Sequence, residues 1–182
     1  MATTAGNKRR ACSAADIAAE IRDRRPGIRV LPLHKLLYFI QAEHLAWHGT
    51  PAFSETIEAW ELGPVVASLW RQEKYNTPKP DPAPVPVTVA NIITNVIARL
   101  GHLSGQRLID ISHSEGPWAE VTHCGARTDS PRITHEALAR YGAELPPDFA
   151  EARKHINRVR DDRPFVADDP DAIERFLAER RS

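Results

Sequence analysis

Apolar residues recur every three or four positions along most of this chain, the period that lays one stripe along a helix. Ile17, Ala18 and Ile21 form the first stripe, behind Ser13, a good helix cap, and Asp16 in the first turn. Pro26-Gly27 ends that helix near Arg25. A stronger stripe follows: Leu33, Leu36, Leu37, Ile40, His44 and Trp47, widened by Phe39 and Leu45. It predicts a largely buried helix that opens near Pro32 and stops at Gly49. Ile57 to Leu62, with Ile57, Ala59 and Glu61 on one side, reads as an extended segment before a Gly63-Pro64 turn. Pro64 then suits the first turn of a helix over Val65 to Tyr75, with Val66, Leu69 and Trp70 inward.

Residues 76–87, NTPKPDPAPVPV, break the periodicity. Repeated proline lacks N–H donors and favours extended geometry, so this is expected to be a semi-rigid linker inside the domain. The helical period resumes at Val89, Ile92, Ile93, Val96, Ile97 and Leu100, and again at Leu108, Ile109 and Ile111. Pro117 opens a further helix that carries Trp118 and Val121, and residues 123–133 read as a polar loop. Thr134 caps a helix that Gly142 closes. Asp148 to Arg160 and Asp171 to Arg181 are charged helical stretches with thin apolar faces. The expected fold is mainly α: a compact single-domain helical fold with at most a small β element near residues 57–62. A flexible basic arm (1–14) precedes it and a charged helical C-terminal extension (143–182) follows.

Composition narrows the function classes. Of 182 residues, 42% are hydrophobic and 26% charged, ordinary for a globular chain. The 24 Lys and Arg balance the 24 Asp and Glu, so bulk charge points to no partner. Residues 1–35 are locally basic: Lys8, Arg9, Arg10, Arg22, Arg24, Arg25, Arg29 and Lys35 stand against Asp16, Glu20 and Asp23. That arm offers phosphate contacts but no reading helix, so nucleic acid is possible but unsupported as a partner. Cys12 and Cys124 make neither a disulfide framework nor a metal motif. No apolar run reaches the roughly 18 residues of a membrane span, and no secretory signal opens the chain. The expectation is a cytoplasmic protein without a membrane partner.

Candidate chemistry is sparse. His44 and His48 have helical ligand spacing, but the glutamate of HExxH is absent between them. His113, His123, Cys124 and His135 have zinc-type donors at the spacing of no standard site. There is no GxSxG elbow, phosphate-cradling glycine loop or paired-carboxylate signature. The expectation is a non-enzyme with no catalytic residue, no cofactor and no metal.

Four blocks in order carry the most specific signal. The first is Leu33, Lys35, Leu36, Leu37, Tyr38, Phe39 and Gln41. The second is Ile57, Glu58, Ala59, Trp60, Gly63, Pro64, Val65 and Val66. The third is Gly101, Leu103 and Ser104, followed by His113, Glu115, Pro117 and Trp118; the fourth is Ile133 to Tyr141. Across residues 15–142 this arrangement resembles the Panacea domain, the SocA-like or phage-associated GepA-like antitoxin family. His34 replaces the family's usual glutamine, Ser112 its threonine, and Gly116 the aspartate before Pro117-Trp118.

The resemblance implies an antitoxin that neutralises a cognate toxin protein, encoded by the adjacent gene, through direct binding. One branch of the family instead delivers its toxin to a protease, so a protease is a conceivable second partner. Lys35, Tyr38, Gln41, Gly63, Pro64, His113, Pro117 and Trp118 read as structural motif residues. Trp60, Glu61 and Val65 read as partner contacts displayed around the Gly63-Pro64 turn, and Trp47 and Trp118 as core. The extension lies outside the resemblance, and its Ile156, Val159, Phe176 and Leu177 offer a second contact set. The alternative reading is a DNA-binding regulator of its own operon, or a proteolytic adaptor.

Overall fold

The computed structural model describes residues 12–78, 80–114, 116–123 and 131–145. Among them are seven helices and a three-stranded antiparallel sheet, so the chain is mainly helical. Helix α1 (Ala14–Arg24) starts with a reciprocal cap. The Ser13 hydroxyl accepts from the Asp16 amide, and the Asp16 carboxylate accepts from the Ser13 amide at 2.9 Å. The other Asp16 oxygen accepts from the Ala83 amide at 2.8 Å, so one buried carboxylate ties the proline-rich linker to α1.

Helix α2 (Val30–His48) is the axis of the molecule. Every residue from Leu33 to Leu45 is buried, as expected of a helix that is apolar nearly all round. Helices α1, α4 (Val87–Leu100), α5 (Gly105–Ser114) and α7 (His135–Glu144) pack around it. The predicted stripe runs one turn too far: Trp47 is 46% exposed, because the last turn of α2 projects past the core before Gly49 ends it in a left-handed conformation. Helix α7 continues through Gly142 rather than stopping there. A Cβ at Gly142 would run into the backbone carbonyl of Ala42, so this glycine permits the close approach of α7 to α2.

The sheet extends beyond the one expected segment. Strand β1 (Ile57–Trp60) is central, flanked by β2 (Gly63–Val66) and β3 (Arg132–Ile133). Pro64 therefore lies within an edge strand, and helix α3 (Ala67–Lys74) begins only after it. The register explains why proline is tolerated. Ala59 pairs with Pro64 but donates its amide to Pro131 at 2.8 Å, on the β3 side. Pro64 thus sits at a non-hydrogen-bonded position, where its missing N–H faces away from β1. One face of the sheet (Ile57, Ala59, Val66, Ile133) joins the main core. The other carries Trp60 and Val65, which form a second cluster with Leu31, Ala67 and Trp70. Helix α6 (Pro117–His123) closes the hairpin side.

Candidate functional site

The four sequence blocks converge on the β1–β2 hairpin. Its outer edge would expose unpaired backbone groups, and two buried side chains of α2 occupy them. Lys35 donates from Nζ to the Pro64 carbonyl at 3.2 Å. His34 accepts from the Val66 amide at Nδ1, also at 3.2 Å, which leaves the imidazole proton on Nε2. Both side chains are fully buried. Burial pushes the Lys35 amine down to about 7. Burial, followed by the positive charges of Lys35 and Arg22, pushes His34 down to about 3, so it stays neutral.

Gly63 makes this packing possible. Its φ is +96°, and a Cβ there would stand 2.8 Å from Lys35 Nζ and 2.9 Å from His113 Nε2. The His113 ring in turn lies flat on Trp118, with centroids 3.6 Å apart and planes 5° from parallel. The Trp118 indole N–H donates to the Trp60 carbonyl at 2.8 Å. Residues from α2, the hairpin, α5 and α6 therefore lock the hairpin from both sides. Gln41 clamps the approach to it, donating to the Phe53 carbonyl at 2.9 Å and accepting from the Ala52 and Phe53 amides.

Gly116, the departure before Pro117-Trp118, has φ +101° and lies against Tyr141: a Cβ would stand 2.7 Å from its ring. Tyr141 stacks in tilted fashion on Tyr38 at 5.8 Å. Burial, then the neighbouring Tyr141, pushes the Tyr38 phenol well above its ordinary value, so it remains protonated. An aspartate has no room here unless that aromatic stack shifts.

The residues read as partner contacts separate by burial. Trp60 lies inside the second cluster, edge-on to Trp70 at 5.2 Å, with its indole N–H donating to Glu58 at 2.9 Å. Val65 is buried in the same cluster. Glu61 is exposed at the hairpin tip and Leu62 half-buried beside it. Lys35, Tyr38, Gln41, Gly63, Pro64 and Pro117 are buried, and His113 and Trp118 half-buried. Ile156, Val159, Phe176 and Leu177 lie outside the described residues.

Sequence reasoning missed the surroundings of the hairpin: Arg71, Lys74 and Tyr75 on α3, and Arg22 reaching Glu73 at 2.8 Å. The Trp70-to-Lys74 spacing of one helical turn was the available signal. It also missed the buried Glu43–Arg99 ion pair that joins α2 to α4, because both residues lie on apolar stripes. Burial raises Glu43 while Arg99 opposes that shift. His44 and His48 lie 4.6 Å apart, but His44 spends Nδ1 on the Thr50 carbonyl at 2.6 Å. Among the described residues no group of three or more His, Cys, Asp or Glu could hold a metal. No helix among them is long and apolar enough to cross a membrane.

Comparison with known proteins agrees with the first three blocks. Residues 33–119 match the family model for antitoxin SocA-like proteins, Panacea domain. Antitoxin SocA of Caulobacter vibrioides (strain NA1000 / CB15N) is 31% identical over 112 residues, covering 51% of this chain and 59% of the relative. The chain thus spans little more than half the length of that curated relative. No solved structure matches.

Proposed function

We propose that this chain, whose residues 33–119 match the family model for antitoxin SocA-like proteins, Panacea domain, is a cytoplasmic antitoxin that neutralises a cognate toxin protein by direct binding. One observation carries the reading. The motif residues of three separate blocks (Lys35, Gly63 and His113 with Trp118) are spent on immobilising one hairpin. Such a device suits the display of a rigid surface, which binds without losing much conformational entropy. Their hydrogen bonds run to backbone and their rings stack on one another, as in a scaffold for recognition.

The test is co-expression of this chain with the product of the adjacent gene, scored for growth and co-purification. The neighbour alone should arrest growth, and this chain should restore it while holding the neighbour in a stable complex. Rescue with the toxin depleted rather than retained would assign delivery to a protease. A harmless neighbour that forms no complex would remove the antitoxin reading.

A further inference from the structure

The end of α1, the start of α2, the outer face of the hairpin and α3 meet around the second cluster, where Val30 and Leu62 pack at its rim. The groups that reach outermost there are cations and one aromatic ring. Lys74 lies over the Trp70 ring at 4.9 Å and 5.9 Å from the Tyr75 ring. Tyr75 ends α3 and is 59% exposed; Asn76, at φ +47°, turns the chain away immediately after it.

Two carboxylates on this face are tucked beneath cations. Glu73 is 15% exposed under Arg22 at 39%. Glu58 is 17% exposed under Arg71 at 56%, 3.8 Å away, and also accepts from the Trp60 indole. Arg25 and Arg29 follow in the turn from α1 to α2. Against these stand two exposed acids, Glu61 at the hairpin tip and Asp23 on α1. An approaching surface therefore meets Arg71, Lys74 and Tyr75 first. Arg, Tyr and Trp are the side chains that dominate interface energies, and a cation resting on a ring keeps its attraction when water leaves.

Resting on the antitoxin reading, we propose that this α3–hairpin face is where the toxin docks, and that the toxin presents an acidic rim around an apolar pocket that takes Tyr75. Charge on the rim steers association, and the buried ring holds the complex.

The purified chain is titrated with the purified product of the adjacent gene at low and at physiological salt. The double variant Arg71→Glu with Lys74→Glu should weaken binding by about tenfold or more and remove most of its salt dependence. Tyr75→Ala should weaken it by about tenfold with the salt dependence kept. Arg140→Glu, reversing a cation on α7 that is 65% exposed, should bind like the unmodified chain. Arg71→Glu faces the Glu58 carboxylate and Lys74→Glu leaves the Trp70 ring, so the double variant should melt somewhat lower, and circular dichroism should show every variant folded at the temperature of the titration. If the unmodified chain binds and both α3 variants bind equally tightly, the docking face is wrong while the antitoxin reading stands. If the unmodified chain does not bind, both fail. If a short DNA duplex binds instead and only that binding is lost on charge reversal, the face belongs to nucleic acid and the proposal is overturned.

Discussion

Two adjacent side chains on α2, His34 and Lys35, do opposite jobs on the same strand edge. One accepts from Val66 and the other donates to Pro64. Burial lowers both, leaving His34 neutral and Lys35 about half-protonated near pH 7, and the consequence is readable in pH. The unfolded chain holds the Lys35 proton up to about 10.5 and the folded chain only to about 7. Between those values the unfolded state binds more protons, so this residue makes stability rise with pH across that window. Urea unfolding should show the advantage of the native chain over Lys35→Met growing from pH 7 to 10 and staying flat below; parallel profiles would contradict it. For His34 the window lies between about 3 and the ordinary 6.5, and stability falls as the pH drops through it. His34→Gln keeps an acceptor for the Val66 amide and should flatten that acid limb. Neither role is visible in the sequence: periodicity places both residues on an apolar helix, and nothing local says which backbone group each will meet.

At the level of elements, the described helices and strand β1 were legible, and strands β2 and β3 were not. Ser13, Thr134 and Gly49 mark helix ends through local chemistry, and each acts in the structure at the place its type suggests. Strand β2 follows β1 after only Glu61 and Leu62, but its Gly63-Pro64 start reads as a turn before a helix; strand β3 is two residues long and pairs with distant Ile57 and Glu58, so no local pattern reveals it. Pro64 illustrates the conflict: its type suits a helix opening, while its register makes it an edge-strand residue. Gly142 looks like a helix stop and is instead a contact point for α2. The hairpin lock gives a sharp comparison between two left-handed glycines. Gly63→Ala meets both a strained φ and the Lys35 and His113 side chains, and should destabilise by about 2–4 kcal/mol. Gly49→Ala has φ +67° but nothing within 4 Å, and should cost only about 1 kcal/mol. Equal losses in chemical denaturation would mean that the hairpin is not clamped as described.

Across the whole molecule, the order of the four blocks was the legible part of the candidate site, because it depends on identities rather than on contacts. What the sequence did not reveal is that those residues form one junction under one hairpin, or that α3 carries the exposed cations beside it. The motif residues lie beneath the surface, and Trp60 and Val65 lie with them. The surface proposed for a partner therefore centres on Arg71, Lys74 and Tyr75, beside Glu61 and Leu62, and of these the sequence singled out Glu61 alone. The account's central claim is that this surface belongs to an antitoxin that binds its toxin directly. Calorimetric titration of the purified chain into the purified product of the adjacent gene tests it most directly. The account predicts saturable heat at a defined stoichiometry; a toxic neighbour that gives no binding heat and no complex would contradict it.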